Sequence, residues 1–167
     1  MTPQEGPHLE VRRVDHHDED WVGELMRTRW GDESVARLGR LIHPTRLPGF
    51  VVVADLIEPV GLLTYELADE QCEVVTIDSL RQGIGVGSLL IDAVIHLARD
   101  VRCRRVWLIT TNDNLHAQGW YERRGFRLVT TRPGAVARDR ELKPSIPLMG
   151  QGGVPITDEL EYEYPVL

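Results

Sequence analysis

Hydrophobic positions in the first fifty residues change from a strand-like to a helical spacing. Apolar and polar side chains alternate over residues 9–14, which predicts a half-buried strand. Residues 15–30 begin with an aspartate suited to an N-cap and then place apolar side chains on one helical face. We expect this helix to end at Gly31, and a second helix to cover residues 34–41.

Three strand-like runs follow with very little chain between them. They cover residues 50–56, 60–67 and 72–77 and are rich in aliphatic residues. Because the connections contain only a few residues each, they allow antiparallel hairpins and not the long crossover that a parallel pair needs. This part of the sheet is therefore predicted to be an antiparallel meander.

Helices and strands alternate in the second half of the chain. The expected elements are a helix over residues 88–100, a strand over 105–111, a helix over 114–124, a strand over 126–130, a helix over 135–142, a Pro/Gly-rich loop over 143–155 and a strand over 158–166. The strand over 105–111 is almost entirely apolar, which is typical of a strand buried on both faces. Nothing divides the sequence internally, so we predict one α/β (α+β) domain over residues 1–167.

Composition and charge exclude several broad classes. The 167 residues are 42% hydrophobic and 27% charged, as in a soluble globular protein, and no apolar run approaches the ~20 residues of a membrane helix. A net charge of −7 argues against nucleic acid as a partner and is compatible with a cationic substrate. The first residues lack the basic start and apolar block of a secretory signal, so we expect a cytoplasmic protein without membrane association.

Cysteine and histidine positions do not indicate a metal site. Cys72 and Cys103 are flanked by strand-like residues, and reduced, part-buried thiols are a better interpretation than a disulfide. The six histidines form no helical i, i+4 pair and have no cysteine at ligand spacing. We therefore expect no structural or catalytic metal.

Three glycines at alternate positions stand where the helix over 88–100 must begin. Gly83, Gly85 and Gly87 lie in SLRQGIGVGSLLI, and glycine in a first helical turn costs up to about 1 kcal/mol relative to alanine. A tight packing turn is the simplest explanation for a glycine between two elements. Three of them favour a second interpretation, in which exposed backbone N–H groups and the helix N-terminus bind phosphate.

Two common phosphate-binding motifs do not fit this turn. A Walker loop needs a lysine before its serine, whereas Gly87 precedes Ser88. A dinucleotide fingerprint needs glycine at the position of Ser88 and an acidic residue about 20 positions later, where Thr110 and Thr111 lie. The preceding antiparallel meander also argues against both of these parallel folds.

Two segments, CEVVTIDSLRQGIGVGSLLIDAV and RRVWLITTNDNLHAQGWYERRGF, resemble the GNAT superfamily of acyl-CoA N-acyltransferases. The resemblance covers residues 9–129 in element order and is specific over residues 73–126. It implies a mixed central sheet of about seven strands with an antiparallel N-terminal part, flanked by helices. It also implies acetyl-CoA as co-substrate and a small-molecule or peptide amine as acceptor. A homodimer is one assembly that we consider for such a domain.

The family's pyrophosphate motif, Gln/Arg-x-x-Gly-x-Gly/Ala, fits this sequence in two frames. Gln82-x-x-Gly85-x-Gly87 matches literally, and a frame moved by two residues places Leu80 first. Either frame leaves a backbone cradle over residues 83–88. The resemblance assigns cofactor contacts to Gln82, Gly83, Ile84, Gly85, Val86, Gly87 and Ser88, and to Thr76 and Ile77 in the preceding strand.

The second family motif is Asn-x-x-Ala-x-x-x-Tyr, present as Asn114, Ala117 and Tyr121 on one helical face. In the family the asparagine contacts the pantetheine arm, as a cofactor-binding residue, and the tyrosine hydroxyl protonates the departing CoA thiolate. A lone Tyr121 would be better explained as a core aromatic. Together with Asn114 and the glycine turn, it is predicted to be catalytic.

A general base is expected in or near the last strand of the meander. Glu73 is a carboxylate inside an apolar strand, on the predicted face of Val75 and Ile77, and partial burial would raise its pKa. A solvent-facing Glu73 is an equally open interpretation. Glu66 and Asp78 are alternatives, and some family members use only an ordered water.

The resemblance also assigns the remaining parts of the site. The thioester carbonyl is expected to meet a backbone N–H of residues 75–77, where the strand splays from its neighbour. The acceptor is expected between residues 21–31 and 145–155.

Two classes of function stay open at the level of sequence. The first is an N-acetyltransferase that works by direct attack of a primary amine. The second is a non-catalytic acyl-CoA-binding module that retains the cradle alone. Tyr121 and Glu73 favour the enzyme.

Overall fold

A seven-stranded mixed sheet forms the centre of the computed structural model, which describes residues 5–167. Residues 1–4, part of the stretch used for the signal-sequence prediction, lie outside the described residues. The strands are β1 (Leu9–Arg13), β2 (Val35–Arg37), β3 (Arg40–Ile42), β4 (Gly49–Ala54), β5 (Glu58–Ala68), β6 (Gln71–Ser79), β7 (Arg105–Thr111), β8 (Arg127–Arg132) and β9 (Glu159–Pro165). The α-helices are α1 (Glu19–Trp30), α2 (Val86–Asp100), α3 (Leu115–Arg123) and α4 (Val136–Leu142).

The strand order across the large sheet is β1-β4-β5-β6-β7-β9-β8. Neighbours are antiparallel except for β6 and β7, which are parallel and joined by the α2 crossover. The predicted mixed sheet with an antiparallel N-terminal part is confirmed. In the part of the chain that the structure describes, no helix combines the length and apolar character needed to cross a bilayer.

Residues 34–41 do not form the expected helix. They belong to a hairpin in which β2 pairs with β3 through Leu38 and Gly39, with φ of +52° and +68°. Positive φ at both central residues suits a two-residue hairpin turn. The carboxylates of Glu159 and Asp139 accept hydrogen bonds from the N–H groups of Leu38 and Gly39, each at 3.0 Å. The helical prediction was wrong because these partners lie 121 and 100 residues away along the chain.

Helices α1 and α2 cover opposite faces of the large sheet. Leu90 and Val94 of α2 are fully buried in the larger core cluster. Met26 of α1 packs in a second cluster on the other face. Neighbouring residues of β4 divide between the two clusters, with Val51 on the α1 face and Val52 on the α2 face. This double burial explains the unbroken apolar run of β4.

A β-bulge at Val75 interrupts the alternation along β6. Val74 and Thr76 pair with consecutive residues of β5, which leaves Val75 as the extra residue. The parallel pairing of β6 with β7 ends at the same place, with Val74 opposite Leu108. Beyond this point β6 and β7 do not pair with each other, although β6 stays paired with β5 and β7 with β9, so the sheet opens next to Val75.

The bulge also separates Glu73 from the face on which it was expected. Ile77 pairs with Leu63, which belongs to the core on the α2 face, whereas Glu73 pairs with Glu66, which lies on the opposite face of β5. The prediction that Glu73 shares a face with Ile77 was wrong, because one extra residue reverses the alternation on one side of the bulge.

Glu73 instead forms a buried ion pair with Arg37 of β2. Both residues are 4% exposed, and Arg37 Nε donates a hydrogen bond to Glu73 Oε1. Burial raises the pKa of Glu73, although the Arg37 charge opposes that effect. Glu73 supplies the counter-charge of the Arg37 guanidinium. The Nη1 atom of Arg37 meets no other acceptor among the described residues.

We predict that Glu73→Gln lowers the free energy of unfolding by about 3–5 kcal/mol, because it leaves the Arg37 charge buried without a counter-charge. Urea unfolding followed by circular dichroism measures the change. Glu58→Gln is the matched control, since it removes one charge from the exposed Arg81–Glu58 pair (2.8 Å) and should cost less than about 1 kcal/mol. A Glu73→Gln variant as stable as the wild type would contradict the buried ion pair.

Candidate active site

Three neighbouring cavities lie in a row where β6 and β7 separate. The turn cavity, of about 350 Å³, is lined by the glycine turn before α2 and by one face of α3. The central cavity, of about 510 Å³, shares Ile77 and Tyr121 with the turn cavity. The α4 cavity, of about 390 Å³, is lined by α4 and the loop after it and shares Val75 and Asn114 with the central cavity. The row therefore leads from the glycine turn through the open sheet to α4.

Two of the three glycines keep backbone exposed to the turn cavity. Gly83 and Gly85 have φ of +78° and +89°, and a Cβ added to either would meet nothing within 4 Å. Gly85 is the N-cap of α2 and has no side chain to bond the first N–H groups of the helix. The turn therefore offers open space beside exposed backbone donors, which fits an anionic group such as a pyrophosphate.

Gly87 has a different role in the same turn. A Cβ at this position would lie 2.7 Å from the Trp120 ring, so glycine allows α2 to pack against α3. Tight packing therefore explains the glycine at position 87. It does not explain Gly83 and Gly85, which border open space.

The other residues assigned to the cradle divide between the cavity and the core. Gln82 lines both the turn and the central cavities, whereas Leu80, first in the other motif frame, packs against the α1-side core. Val86 and Ser88 line the turn cavity, while Ile84 packs against the α2-side core. Of the two candidate first positions of the motif, Gln82 thus lies at the cavity and Leu80 does not.

Of the two β6 residues assigned to cofactor contacts, Thr76 is buried away from the cavities and Ile77 lines them. The Thr76 hydroxyl is buried and bonds the Thr64 hydroxyl at 2.7 Å, so its side chain does not line the cavities. Ile77 lines the turn and central cavities. Any contact of Thr76 with a ligand would have to come from its backbone.

Arg124 joins the turn cavity although sequence reasoning did not select it. Its guanidinium lies over the Trp120 ring, 3.4 Å from the centroid, and its Nη2 donates to Ser88 Oγ at 3.0 Å. Residues 117, 120, 121 and 124 share one face of a helix, so the spacing from Ala117 and Tyr121 could have found it. Arg124 adds positive charge to a cavity suited to an anion.

The second motif is brought together at the start and along one face of α3. Asn114 is the N-cap of α3, and its Oδ1 accepts a hydrogen bond from the Ala117 N–H at 3.3 Å. Asn114 lines the central and α4 cavities, and Ala117 lines the turn and central cavities. A capping side chain and a small side chain thus border the path between the cavities.

Tyr121 lies at the junction of the turn and central cavities. It is 7% exposed, and its ring packs near Phe126 and Tyr162, with centroids 5.7 and 6.3 Å away. Burial raises the pKa of the Tyr121 phenol, and the negative charge of Asp78 raises it further. The hydroxyl is therefore protonated at neutral pH and can act as a proton donor.

Asp78 is the one carboxylate among the described residues that line the central cavity. Its Oδ2 accepts a hydrogen bond from Trp30 Nε1 at 3.1 Å, which ties the end of β6 to the end of α1. Burial raises the pKa of Asp78, while the Trp30 hydrogen bond and the Arg29 charge oppose the shift. A carboxylate in this environment can accept a proton closer to neutral pH than an exposed aspartate.

The other two candidate bases lie away from the central cavity. Glu73 lines none of the three cavities and is held by Arg37. Glu66 pairs with Arg40 at 3.3 Å, outside all three linings. Of the three carboxylates considered from sequence, the geometry thus favours Asp78.

A surface cluster provides a metal-like arrangement that the histidine spacing did not reveal. Asp15, His16 and His17 are exposed, and their potential ligand atoms lie within 4.8 Å of one another. Asp15 already accepts a hydrogen bond from the His17 N–H at 2.8 Å, as the cap of a helical turn. The cluster is thus explained as a helix start, apart from the row of cavities.

Comparison with known proteins identifies a family and a curated relative. The model of the acetyltransferase (GNAT) family matches residues 14–126. The uncharacterized protein YdhI of Bacillus subtilis is 35% identical over 131 residues, which cover 78% of this chain and 82% of that protein.

Solved structures share the fold at low sequence identity. A Bacillus subtilis acetyltransferase in complex with CoA has a TM-score of 0.66 at 15% identity, covering 97% of this chain and 100% of that one. A GNAT family acetyltransferase from Elizabethkingia anophelis with acetyl-CoA bound has a TM-score of 0.65 at 17% identity, covering 94% and 97%. Since the family model spans more than half of the sequence, the chain belongs to the GNAT acetyltransferase family.

Proposed function

We propose that this protein is an N-acetyltransferase that transfers an acetyl group from acetyl-CoA to a primary amine by direct attack. The observation that carries the proposal is the row of cavities, which puts an anion-binding turn, a protonated tyrosine and a carboxylate around one opening of the sheet. A non-catalytic binding module would need neither Tyr121 nor Asp78 at that opening. Their presence supports the enzyme.

The donor fits the turn and central cavities. Acetyl-CoA supplies the acetyl group as a thioester, which an amine can attack directly. The N–H groups of residues 83–88 would hold its pyrophosphate, with Arg124 adding charge. The edge of β6 at residues 75–77, no longer paired with β7, and the Asn114 side chain would line the pantetheine arm.

Two side chains would move the protons of the reaction. Asp78 accepts the proton that the amine must lose before its nitrogen forms the new C–N bond. The Tyr121 hydroxyl donates its proton to the sulfur as the C–S bond breaks. The second proton, which the nitrogen loses as the amide forms, returns to the Tyr121 oxygen, so that the products are the acetamide and the CoA thiol. A backbone N–H at the open edge of residues 75–77 would polarise the thioester carbonyl.

The environment of the cysteines supports a cytoplasmic enzyme. Cys72 and Cys103 are both free and buried, and burial raises the pKa of the Cys72 thiol to about 12. Two such thiols are stable in a reducing compartment, where structural disulfides are rare.

Gly85→Asp should weaken CoA binding by at least about tenfold, because a carboxylate in the open space of the turn repels the pyrophosphate. Isothermal titration calorimetry with CoA measures the affinity, and circular dichroism checks the fold. Gly85→Asn is the matched control, since Asn has the same size and tolerates positive φ as Asp does. Equal affinities of the Asp variant and the wild type would remove the cradle from the proposal.

Tyr121→Phe should lower turnover by roughly 10²–10⁴-fold while CoA affinity stays unchanged, because only the proton donor is lost. The assay incubates the enzyme with acetyl-CoA and a panel of primary amines and follows free thiol. Tyr162→Phe makes the same chemical change at a hydroxyl bonded to Glu122 (3.1 Å), outside the three cavities, and should keep wild-type turnover. Wild-type turnover of Tyr121→Phe would make the residue a packing aromatic.

Asp78→Asn should abolish the acidic limb of the pH profile of kcat/KM. In the wild type, efficiency falls as the pH falls through the Asp78 pKa, which burial holds above the ordinary value of about 3.9, because a protonated carboxyl cannot accept the amine proton. Asparagine can still accept the Trp30 hydrogen bond. Glu66→Gln is the surface control, and an Asp78→Asn enzyme with the wild-type rate and limb would show that the base lies elsewhere.

A further inference from the structure

The α4 cavity lies on the far side of the central cavity from the glycine turn. With the donor in the turn and central cavities, the α4 cavity is the space left for the acceptor. Most of its wall is apolar, with Trp30, Ile109 and Ile146 among the side chains that line it. The volume of about 390 Å³ suits a compact molecule with an apolar body.

Two buried carboxyl groups form the polar end of this cavity. Asp139 of α4 and Glu159 of β9 are 2% and 1% exposed, and both line the cavity. Each accepts one backbone hydrogen bond from the β2–β3 turn. Glu159 Oε2 accepts no hydrogen bond from an N–H group or a hydroxyl group among the described residues. Burial, a hydrogen bond with the Asp139 carboxyl and the negative charge of that carboxyl raise the pKa of Glu159 to about 7.

None of the cations around this carboxyl pair donates a hydrogen bond to Glu159 Oε2 among the described residues. Lys143 Nζ donates to the backbone carbonyls of Trp30 and Ser34, at 2.6 and 2.5 Å. Arg37 is paired with Glu73, as described above. Arg132 of β8 lies opposite Glu159 in the sheet, and its charge acts on Glu159. Its Nη2 donates to Glu161 at 2.8 Å, and its Nη1 has no acceptor among the described residues.

Arg29 lines the exposed side of the α4 cavity and the central cavity, where its charge acts on Asp78. No cation of the chain therefore donates to Glu159 Oε2 in the part that the structure describes. The pair presents a buried oxygen that needs a donor, beside a cavity that opens toward Asp78 and Tyr121.

We propose that the acceptor is a compact diamine, whose reacting nitrogen lies at Asp78 while its second, protonated amino group binds Asp139 and Glu159. This inference rests on the proposed acetyltransferase function. An ammonium group has three donors and no acceptor, so it supplies what Glu159 Oε2 lacks and compensates the charge of the pair. The apolar wall between the two ends suits the methylene chain of an α,ω-diaminoalkane.

The test compares hexylamine with 1,6-diaminohexane, which share a chain length and differ in the second amino group. Free-thiol release with acetyl-CoA should give the diamine a kcat/KM roughly tenfold or more above the monoamine, as expected for one buried charge-assisted hydrogen bond. Glu159→Gln should bring this ratio close to one, since glutamine still accepts the Leu38 hydrogen bond but carries no charge. Glu10→Gln, on the exposed surface of β1, should keep the wild-type ratio.

Equal efficiencies of the two amines in the wild type would overturn the proposal, whatever the variants do. If neither these two amines nor the panel of primary amines releases thiol, the proposed acetyltransferase function fails, and binding of the two amines is then measured by thermal denaturation with CoA present. A rise in Tm with the diamine but not with the monoamine would support the diamine site, and no difference between them would overturn it. The wild-type comparison also decides the case in which Glu159→Gln does not fold.

Discussion

The candidate site depends on the place where β6 and β7 stop pairing. A sheet normally satisfies its backbone groups along the whole length of each strand. Here the parallel ladder ends at Val74 and Leu108, beside the bulge at Val75, and leaves a gap in the middle of the sheet. Trp30 from α1 and Asn114 from the start of α3 border this gap. Without it, the glycine turn and the α4 cavity would lie on separate sides of a closed sheet.

Two different constraints explain the glycines in the turn before α2. Gly83 and Gly85 have positive φ, which favours glycine, and both border open space. A side chain at either position would occupy space that a ligand could fill. Contact with the Trp120 ring requires glycine at position 87, so that α2 and α3 approach closely. Packing at one position thus sets the distance between the helices, and backbone freedom at the other two leaves the turn cavity open.

Buried charge is concentrated at the β2–β3 hairpin. Arg37 of the β2–β3 hairpin pairs with Glu73 of β6. Asp139 and Glu159 accept hydrogen bonds from the backbone N–H groups in the turn of that hairpin. Burying charged groups costs stability unless they are paired and hydrogen-bonded, and such arrangements cluster at functional sites. The first pair is matched within the chain and serves the fold. The second has an oxygen without a donor, which is why it suits a role toward a ligand.

The sequence by itself determined the elements whose signals are local. The apolar runs of β4, β5 and β6, the helical face with Ala117 and Tyr121, and the glycine turn are fixed by spacing along a short stretch, and they led to the fold and the family. The tertiary structure decided the hairpin of β2 and β3, the separation of Glu73 from the cavity and the pairing of Asp78 with Trp30, 48 residues away. The physical reason is that one extra residue at Val75 reverses the faces of β6, and no local pattern marks that residue. Which carboxylate reaches the cavity therefore follows from strand register, which long-range contacts set.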